Sequence, residues 1–219
     1  MQTTIIACKT IEKELLASIE LADVQYPILW LESGLHNSPK KLKRRVTELL
    51  DTVTEGRVLL AMGSCGNSLD GVVSEHTQLI VPRVDDCISI LLGSLQQRQK
   101  MSSELAAYFL TEGWMRGERN LWVEHLKMVE KYGEEQAMVI AEMLYGHYRT
   151  LALVDCGTSS MEELLEESLE MAKTMSLEQK IVPGTLSYLQ QLLTGPWPED
   201  RFAVKEPGEA LSMYDFLSL

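Results

Sequence analysis

Four cysteines and one histidine are the residues of this sequence with the clearest potential for chemistry. Cys8, Cys65, Cys87 and Cys156 are single cysteines far apart in the chain, and His36 lies in the loop-like segment SGLHNSP. Thiolate and imidazole groups suit zinc and iron–sulfur clusters because they are soft or borderline ligands. The sequence has no CxxC pair and no zinc-ribbon or ferredoxin spacing, so a site of this kind has to be assembled by the fold.

Five apolar segments are predicted to be the strands that position these residues. Cys8 ends the first strand, His36 lies beyond the second, Cys65 and Cys87 follow the third and fourth, and Cys156 ends the fifth. The carboxyl ends of the strands in an open parallel sheet lie on one edge, which is where such folds bind ligands. The sequence therefore predicts that these side chains converge. The five segments cover about residues 3–8, 26–33, 58–63, 78–84 and 150–157.

Helical patterns separate the predicted strands. Ser38 and Ser160 are expected to cap two of the helices, and Pro39 occupies a first helical position. This alternation predicts an α/β fold, with an open, mostly parallel sheet of about five strands, helices on both faces and a helical middle segment. We expect a single α/β domain over residues 1–219. The helical patterns cover about residues 11–22, 39–50, 85–149 in several pieces, 160–175 and 184–193, and residues 201–205 add a candidate edge strand.

The glycine-rich loop after the third strand is a further candidate feature. Gly63, Gly66 and Asn67 could hold a cofactor or an anion on their backbone N–H groups, although the segment matches neither a P-loop nor a dinucleotide fingerprint. The loop is too polar for core packing, which favours a functional role for its cysteine. Free cysteine also packs as a small hydrophobic residue, and this is the favoured interpretation of Cys156. Trp114 is likewise expected in the core.

Composition narrows the range of partners. The formal net charge of −12 opposes binding to nucleic acid, which needs clustered Lys and Arg. The one basic run, at 40–45, is expected to be a solvated helix face. No apolar segment has the length of a membrane span and the N-terminus has no signal-peptide pattern, so we expect a cytoplasmic protein with no membrane partner. Cysteines in such a protein are expected to be reduced rather than paired in disulfides.

Several motifs resemble those of the family catalogued as domain of unknown function 1638. The resemblance implies a setting in anaerobic one-carbon metabolism, because that family is common in methanogens and anaerobic bacteria, often beside corrinoid-dependent methyltransferases. It also implies cysteines at the positions of Cys8, Cys65 and Cys87 and the histidine at His36, whereas relatives are expected to have threonine at Cys156. The family offers no established reaction. The motifs are Gly34-Leu35-His36-Asn37-x-Pro39, Gly63-x-Cys65-Gly66-Asn67, Val81-Pro82-Arg83-x-x-Asp86-Cys87-Ile88 and Thr111-x-Gly113-Trp114.

Three hypotheses for function follow from these observations. The leading one is an iron–sulfur cluster or a zinc ion bound by Cys8, Cys65 and Cys87, with His36 as the fourth ligand or close to it. Such a site would serve electron transfer or support a corrinoid protein or methyltransferase. The second hypothesis is an enzyme in which zinc activates a substrate thiol for methylation. The third is a metal-free interaction module of a methyltransferase system.

Overall fold

Residues 2–216 are described by a computed structural model. The strands are β1 (Thr3–Cys8), β2 (Ile28–Leu31), β3 (Arg57–Ala61), β4 (Gln78–Pro82), β5 (Ala107–Leu110), β6 (Thr150–Asp155), β7 (Glu178–Pro183) and β8 (Phe202–Lys205). The helices are α1 (Glu12–Ala22), α2 (Pro39–Leu50), α3 (Cys87–Leu91), α4 (Leu95–Leu105), α5 (Glu112–Met115), α6 (Leu121–Tyr132), α7 (Glu134–Tyr145), α8 (Met161–Glu167), α9 (Leu169–Thr174) and α10 (Ser187–Thr194).

The main sheet has five strands in the order β2-β1-β3-β4-β8. The first four are parallel, and β8 joins antiparallel at the edge beside β4. Strands β1, β3 and β4 are nearly continuous apolar runs, as is typical of parallel strands covered on both faces. The predicted α/β class, with a mostly parallel sheet of about five strands and helices on both faces, is confirmed.

A second, three-stranded parallel sheet corrects part of the sequence prediction. Its order is β5-β6-β7. The segment 150–157, predicted as the fifth strand of the main sheet, instead forms the centre of this second sheet. Strand β5 lies inside the middle segment that was predicted to be wholly helical, and β7 was not predicted. The fifth strand of the main sheet is β8, which the sequence offered as a candidate edge strand.

The second sheet separates two hydrophobic cores because successive side chains of a strand point to opposite faces. Ala152 and Val154 of β6 face the larger core, which also contains β1, β3 and β4. Leu151 and Leu153 of the same strand face a smaller core that includes α8 and α9 residues. The carboxyl ends of β1 and β5 approach each other through α5, which packs against the connection that follows β1.

Helix ends follow local capping rules with two departures from the predictions. Ser160 accepts a hydrogen bond from the backbone N–H of Glu163 at 3.2 Å, as predicted for the start of α8. Ser38 precedes α2 but its side chain makes no capping hydrogen bond. The helix predicted over 160–175 is interrupted at Ser168, which divides it into α8 and α9. Within residues 2–216, no helix has both the length and the apolar character needed to cross a bilayer.

Candidate thiol site

Three of the four cysteines come together at the carboxyl edge of the main sheet. Cys8 is the last residue of β1, Cys65 lies in the loop after β3, and Cys87 is the first residue of α3 after β4. Because β1, β3 and β4 are parallel neighbours, their ends lie side by side. The three cysteines line one cavity of about 10 Å³, which we call the thiol pocket. This volume is about the size of one water molecule.

The Cys87 thiol is the middle member of a row of three. It interacts by hydrogen bonding with Cys8 on one side and Cys65 on the other. Cys87 is 3% exposed, so this interaction takes place away from bulk water. At the far end of the row, the Cys8 sulfur lies 3.0 Å from the hydroxyl oxygen of Thr10. The arrangement therefore joins three sulfur atoms and one hydroxyl group in a continuous polar chain within an apolar pocket.

This row favours protonated thiols at its buried members. The hydrogen bond with Cys87, followed by burial, raises the pKa of Cys8 well above the ordinary 9.0. The hydrogen bond with Cys65, supported by burial, raises the pKa of Cys87 in the same way, although its hydrogen bond with Cys8 opposes the shift. The contact between thiols is therefore the first cause of both shifts.

Loss of stability at alkaline pH is the expected consequence. Folding stabilises the neutral thiols, so the contribution of Cys8 and Cys87 is complete below the unfolded pKa near 9.0 and is lost as the pH rises towards the folded values. The free energy of unfolding should fall by about 1.4 kcal/mol per pH unit for each thiol in this window. Urea unfolding at several pH values, with a chelator present, measures this slope. A variant carrying Cys8→Ser and Cys87→Ser should show a shallower slope, and an equal slope in both proteins would contradict the expectation.

The loop that carries Cys65 has an unusual backbone. Cys65, Gly66 and Asn67 have φ angles of 43°, 68° and 61°, so three successive residues are left-handed. A residue with a side chain pays about 1 kcal/mol for this conformation. The backbone N–H of Cys65 donates to the carbonyl of Asp85 at 2.7 Å, which fixes the loop beside the start of α3. Strain of this kind is often retained where it positions a functional side chain.

The three backbone positions predicted to hold a cofactor have different environments. Gly63 is buried, and its backbone N–H hydrogen-bonds with the sulfur of Cys87. Gly66 is exposed and lines a wider cavity of about 320 Å³ outside the thiol pocket. Asn67 is also exposed and forms the end of the left-handed turn. Gly63 thus acts directly on a thiol, whereas Gly66 borders the approach to it.

His36 and Trp114 form the wall between the thiol pocket and the wider outer cavity. Both residues line both cavities, and their ring centroids are 4.6 Å apart with the planes inclined by 32°. Burial, followed by the charge of Arg119, lowers the pKa of His36. The neutral imidazole is the form that ligates metals. Asp85 and Asp86 also line the outer cavity. Burial, followed by the charge of Asp85, raises the pKa of Asp86, which is ion-paired with Arg98 at 3.3 Å.

Two assignments made from the sequence differ at this site. Trp114 was expected only in the core, and it does pack against the larger core, but it also covers the thiol pocket. Cys156 was included among the converging residues, yet it is absent from the lining of the thiol pocket because β6 belongs to the second sheet. Its environment agrees with core packing, since it contacts the larger core and burial raises its pKa to about 12.

The thiol row is not in a coordination geometry as it stands. Among residues 2–216, no three His, Cys, Asp or Glu side chains are arranged to hold a metal ion. Three sulfurs in a row satisfy one another by hydrogen bonds, whereas a tetrahedral ion needs them around a common point. Binding an ion would therefore require deprotonation and rotation of the thiol side chains.

The fold and the site together define an α/β protein with a buried three-thiol pocket at the carboxyl edge of its main sheet. The chain belongs to the family described as "Protein of unknown function (DUF1638)", whose sequence model matches residues 30–193. The matched segment includes His36, Cys65 and Cys87 and begins after Cys8. Comparisons with curated proteins and with solved structures find no match.

Proposed function

We propose that the protein binds a metal through Cys8, Cys65 and Cys87, with His36 as the fourth ligand or as a close neighbour of the metal. The observation that carries this proposal is the central position of the Cys87 thiol, which interacts with both other thiols in one buried pocket. Three thiols at such short range are rarely needed for packing alone, and as thiolates they are strong ligands of zinc and iron.

The size of the pocket favours a single zinc ion over an iron–sulfur cluster. A cavity of about 10 Å³ has room for about one ion. A cluster of several iron and sulfide atoms needs more room and would have to displace the wall formed by His36 and Trp114. Burial lowers the pKa of His36 and so favours its neutral form. A neutral His36 can be a ligand of either a zinc ion or a cluster, because only a neutral imidazole offers a lone pair to a metal.

The outer cavity gives the proposed metal a route to a second molecule. It has a volume of about 320 Å³ and is bordered by Cys65 and His36, so a ligand entering it would reach the metal at the His36 side. A zinc ion there would hold a substrate thiol in its nucleophilic thiolate form, which suits methyl transfer to sulfur. An iron–sulfur cluster would instead transfer electrons, or it would support a corrinoid protein or a methyltransferase. Either role would suit one-carbon metabolism, the setting that the family resemblance implies.

Metal analysis of anaerobically purified protein tests the proposal, with variants at Cys65 as the decisive comparison. We expect about one zinc per chain in a colourless protein, or iron and sulfide in a brown one. Cys65→Ala should lose this metal. Cys65→Gly should lose it as well while relieving the left-handed backbone, so it should be more stable than Cys65→Ala by about 1 kcal/mol in the metal-free state. Loss of metal in the more stable variant cannot be attributed to misfolding.

Cys156→Ala is the matched control because this cysteine lies outside the thiol pocket. It should keep the full metal content of the wild-type protein. Unchanged metal content in Cys65→Ala would remove Cys65 from the site. A wild-type protein that takes up neither zinc nor iron after anaerobic reconstitution would overturn the proposal and leave the metal-free interaction module.

A further inference from the structure

A second cavity, of about 250 Å³, lies between the carboxyl ends of β1 and β5. Its lining comes mainly from the segment that follows β1 and from α5, and it differs from the lining of the thiol pocket. The two segments are held close together at Gly113, where an added Cβ atom would lie 2.2 Å from the carbonyl oxygen of Thr10. Open α/β folds bind ligands outside the carboxyl ends of their strands, and this cavity occupies such a position for both sheets.

The charges around this cavity are separated by depth. Two carboxyl groups are buried, since Glu14 is 4% exposed and Glu112 is 7% exposed. At the rim, the exposed cationic side chains of Lys9, Lys13 and Arg116 outnumber the half-buried carboxylate of Glu12. Buried carboxyl groups beneath this mainly cationic rim form a polar cavity, which apolar packing alone does not explain.

The two buried carboxyl groups have different partners. Glu112 is ion-paired at both oxygens, with Lys13 Nζ 2.5 Å from Oε2 and an Arg116 nitrogen 2.5 Å from Oε1. The hydrogen bond from Lys13, supported by the other contacts, lowers the pKa of Glu112. Arg116 also lies 3.6 Å from a carboxylate oxygen of Glu167. Lysine has three N–H donors and arginine five, so both cations still keep donors for a further anion.

The carboxyl group of Glu14 has weaker hydrogen-bond partners than that of Glu112. Within residues 2–216, the one hydrogen bond that another residue donates to its carboxyl group comes from the Thr158 hydroxyl, at the long distance of 3.4 Å. Burial raises the pKa of Glu14, and the negative charge of Glu112 adds to this, whereas Lys13 opposes it. Cys156, just after β6, is also close enough to interact with Glu14. Two neighbouring carboxyl groups whose pKa values are shifted in opposite directions are typical of a functional site.

We propose that this cavity binds a small ligand bearing a carboxylate or phosphate group, with Lys9, Lys13 and Arg116 facing the anion and Glu14 donating a hydrogen bond at the buried end. The cationic rim attracts the anion from solvent, and Glu112 holds Lys13 and Arg116 in place. A protonated Glu14 is a donor, and an anion in the cavity would supply an acceptor for it. The site is separate from the thiol pocket and does not depend on the proposed metal.

Titration calorimetry with two simple probes, inorganic phosphate and malonate, tests this proposal and distinguishes the two kinds of anion. At low ionic strength we expect saturable binding of at least one probe to the wild-type protein. Arg116→Gln and Lys9→Gln should each weaken binding about tenfold, equivalent to the loss of one charged contact. Lys127→Gln is the control, because Lys127 is an exposed lysine of α6 outside the cavity. Its affinity should equal that of the wild-type protein.

The pH profile reports on Glu14 itself. Its carboxyl group donates a hydrogen bond only while protonated, so affinity should fall as the pH is raised from the ordinary value of 4.5 through the raised pKa. Glu14→Gln keeps a donor at every pH, so in the same window its affinity should change only with the ionisation of the probe itself. The difference between the wild-type and Glu14→Gln profiles therefore reports on Glu14. The proposal is overturned if neither probe binds to the wild-type protein or to Glu14→Gln, or if both rim variants bind as tightly as Lys127→Gln.

Discussion

Zinc affinity at the thiol pocket is expected to rise by at least about a hundredfold per pH unit between about pH 6 and pH 8. The metal proposed here must displace the protons of Cys8 and Cys87, whose pKa values are held well above 9.0. Each released proton contributes about tenfold per pH unit. His36 contributes no proton over most of this range, because burial lowers its pKa and leaves the imidazole neutral. Competition with a chromophoric zinc chelator, at known chelator affinity for each pH, measures the slope.

Two serine variants calibrate this slope. Cys87→Ser removes one titrating ligand, so the affinity should fall overall and its rise per pH unit should be smaller than in the wild-type protein by a factor of about ten. Cys156→Ser should keep the wild-type slope because this thiol lies outside the pocket. An affinity that does not change with pH would show that the ion binds elsewhere, and so would the same slope in the Cys87→Ser and wild-type proteins.

The meeting of three cysteines could be predicted because it depends on the most regular part of the fold. Strands β1, β3 and β4 are nearly continuous apolar runs, and parallel neighbours place their carboxyl ends on one edge. Cys8, Cys65 and Cys87 are each at or just after such an end. The prediction needed only the existence and direction of the strands, which sequence patterns specify better than their exact limits.

The second sheet could not be predicted because its strands lack a clear pattern. β5 has four residues, too few to display alternation within a long helical segment. β7 is a largely exposed edge strand that includes Glu178, Gln179 and Lys180, so it resembles a polar connection. β6 was recognised as a strand, but an apolar run does not identify its neighbours. Assigning it to the main sheet placed Cys156 with the other cysteines, and that error concerned topology rather than secondary structure.

The sequence patterns also did not predict that Trp114, Glu14 and Glu112 line the two cavities. Trp114 reaches the thiol pocket because α5 packs closely on the connection after β1, where Gly113 permits the approach. Glu14 and Glu112 belong to different helices far apart in the chain, so no paired-carboxylate motif was recognised. The one signal that could have been used is the glycine beside the tryptophan, since a glycine in a helix often marks a close backbone contact.

Gly63→Ala is expected to destabilise the protein by about 3 kcal/mol, near the upper end of the cost of overpacking. A Cβ atom at this position would lie 2.6 Å from both the backbone nitrogen and the Cα atom of Asp86. Backbone atoms at the start of α3 cannot move aside as a flexible side chain can. The displacement would also separate the Gly63 N–H from the sulfur of Cys87, with which it hydrogen-bonds. Urea unfolding measures the loss of stability, and reaction with a thiol reagent measures the exposure of Cys87.

Gly133→Ala provides the control for this last prediction. Gly133 has a φ angle of 81° and open space within 4 Å of an added Cβ atom, so alanine there meets backbone strain without a clash. We expect it to cost about 1 kcal/mol and to leave the reactivity of the thiols unchanged. A Gly63→Ala protein no less stable than Gly133→Ala, with Cys87 still protected, would contradict the close contact between the loop after β3 and the start of α3. Because the same contact holds Cys65 beside Cys87, the row of thiols depends on the absence of a side chain at residue 63.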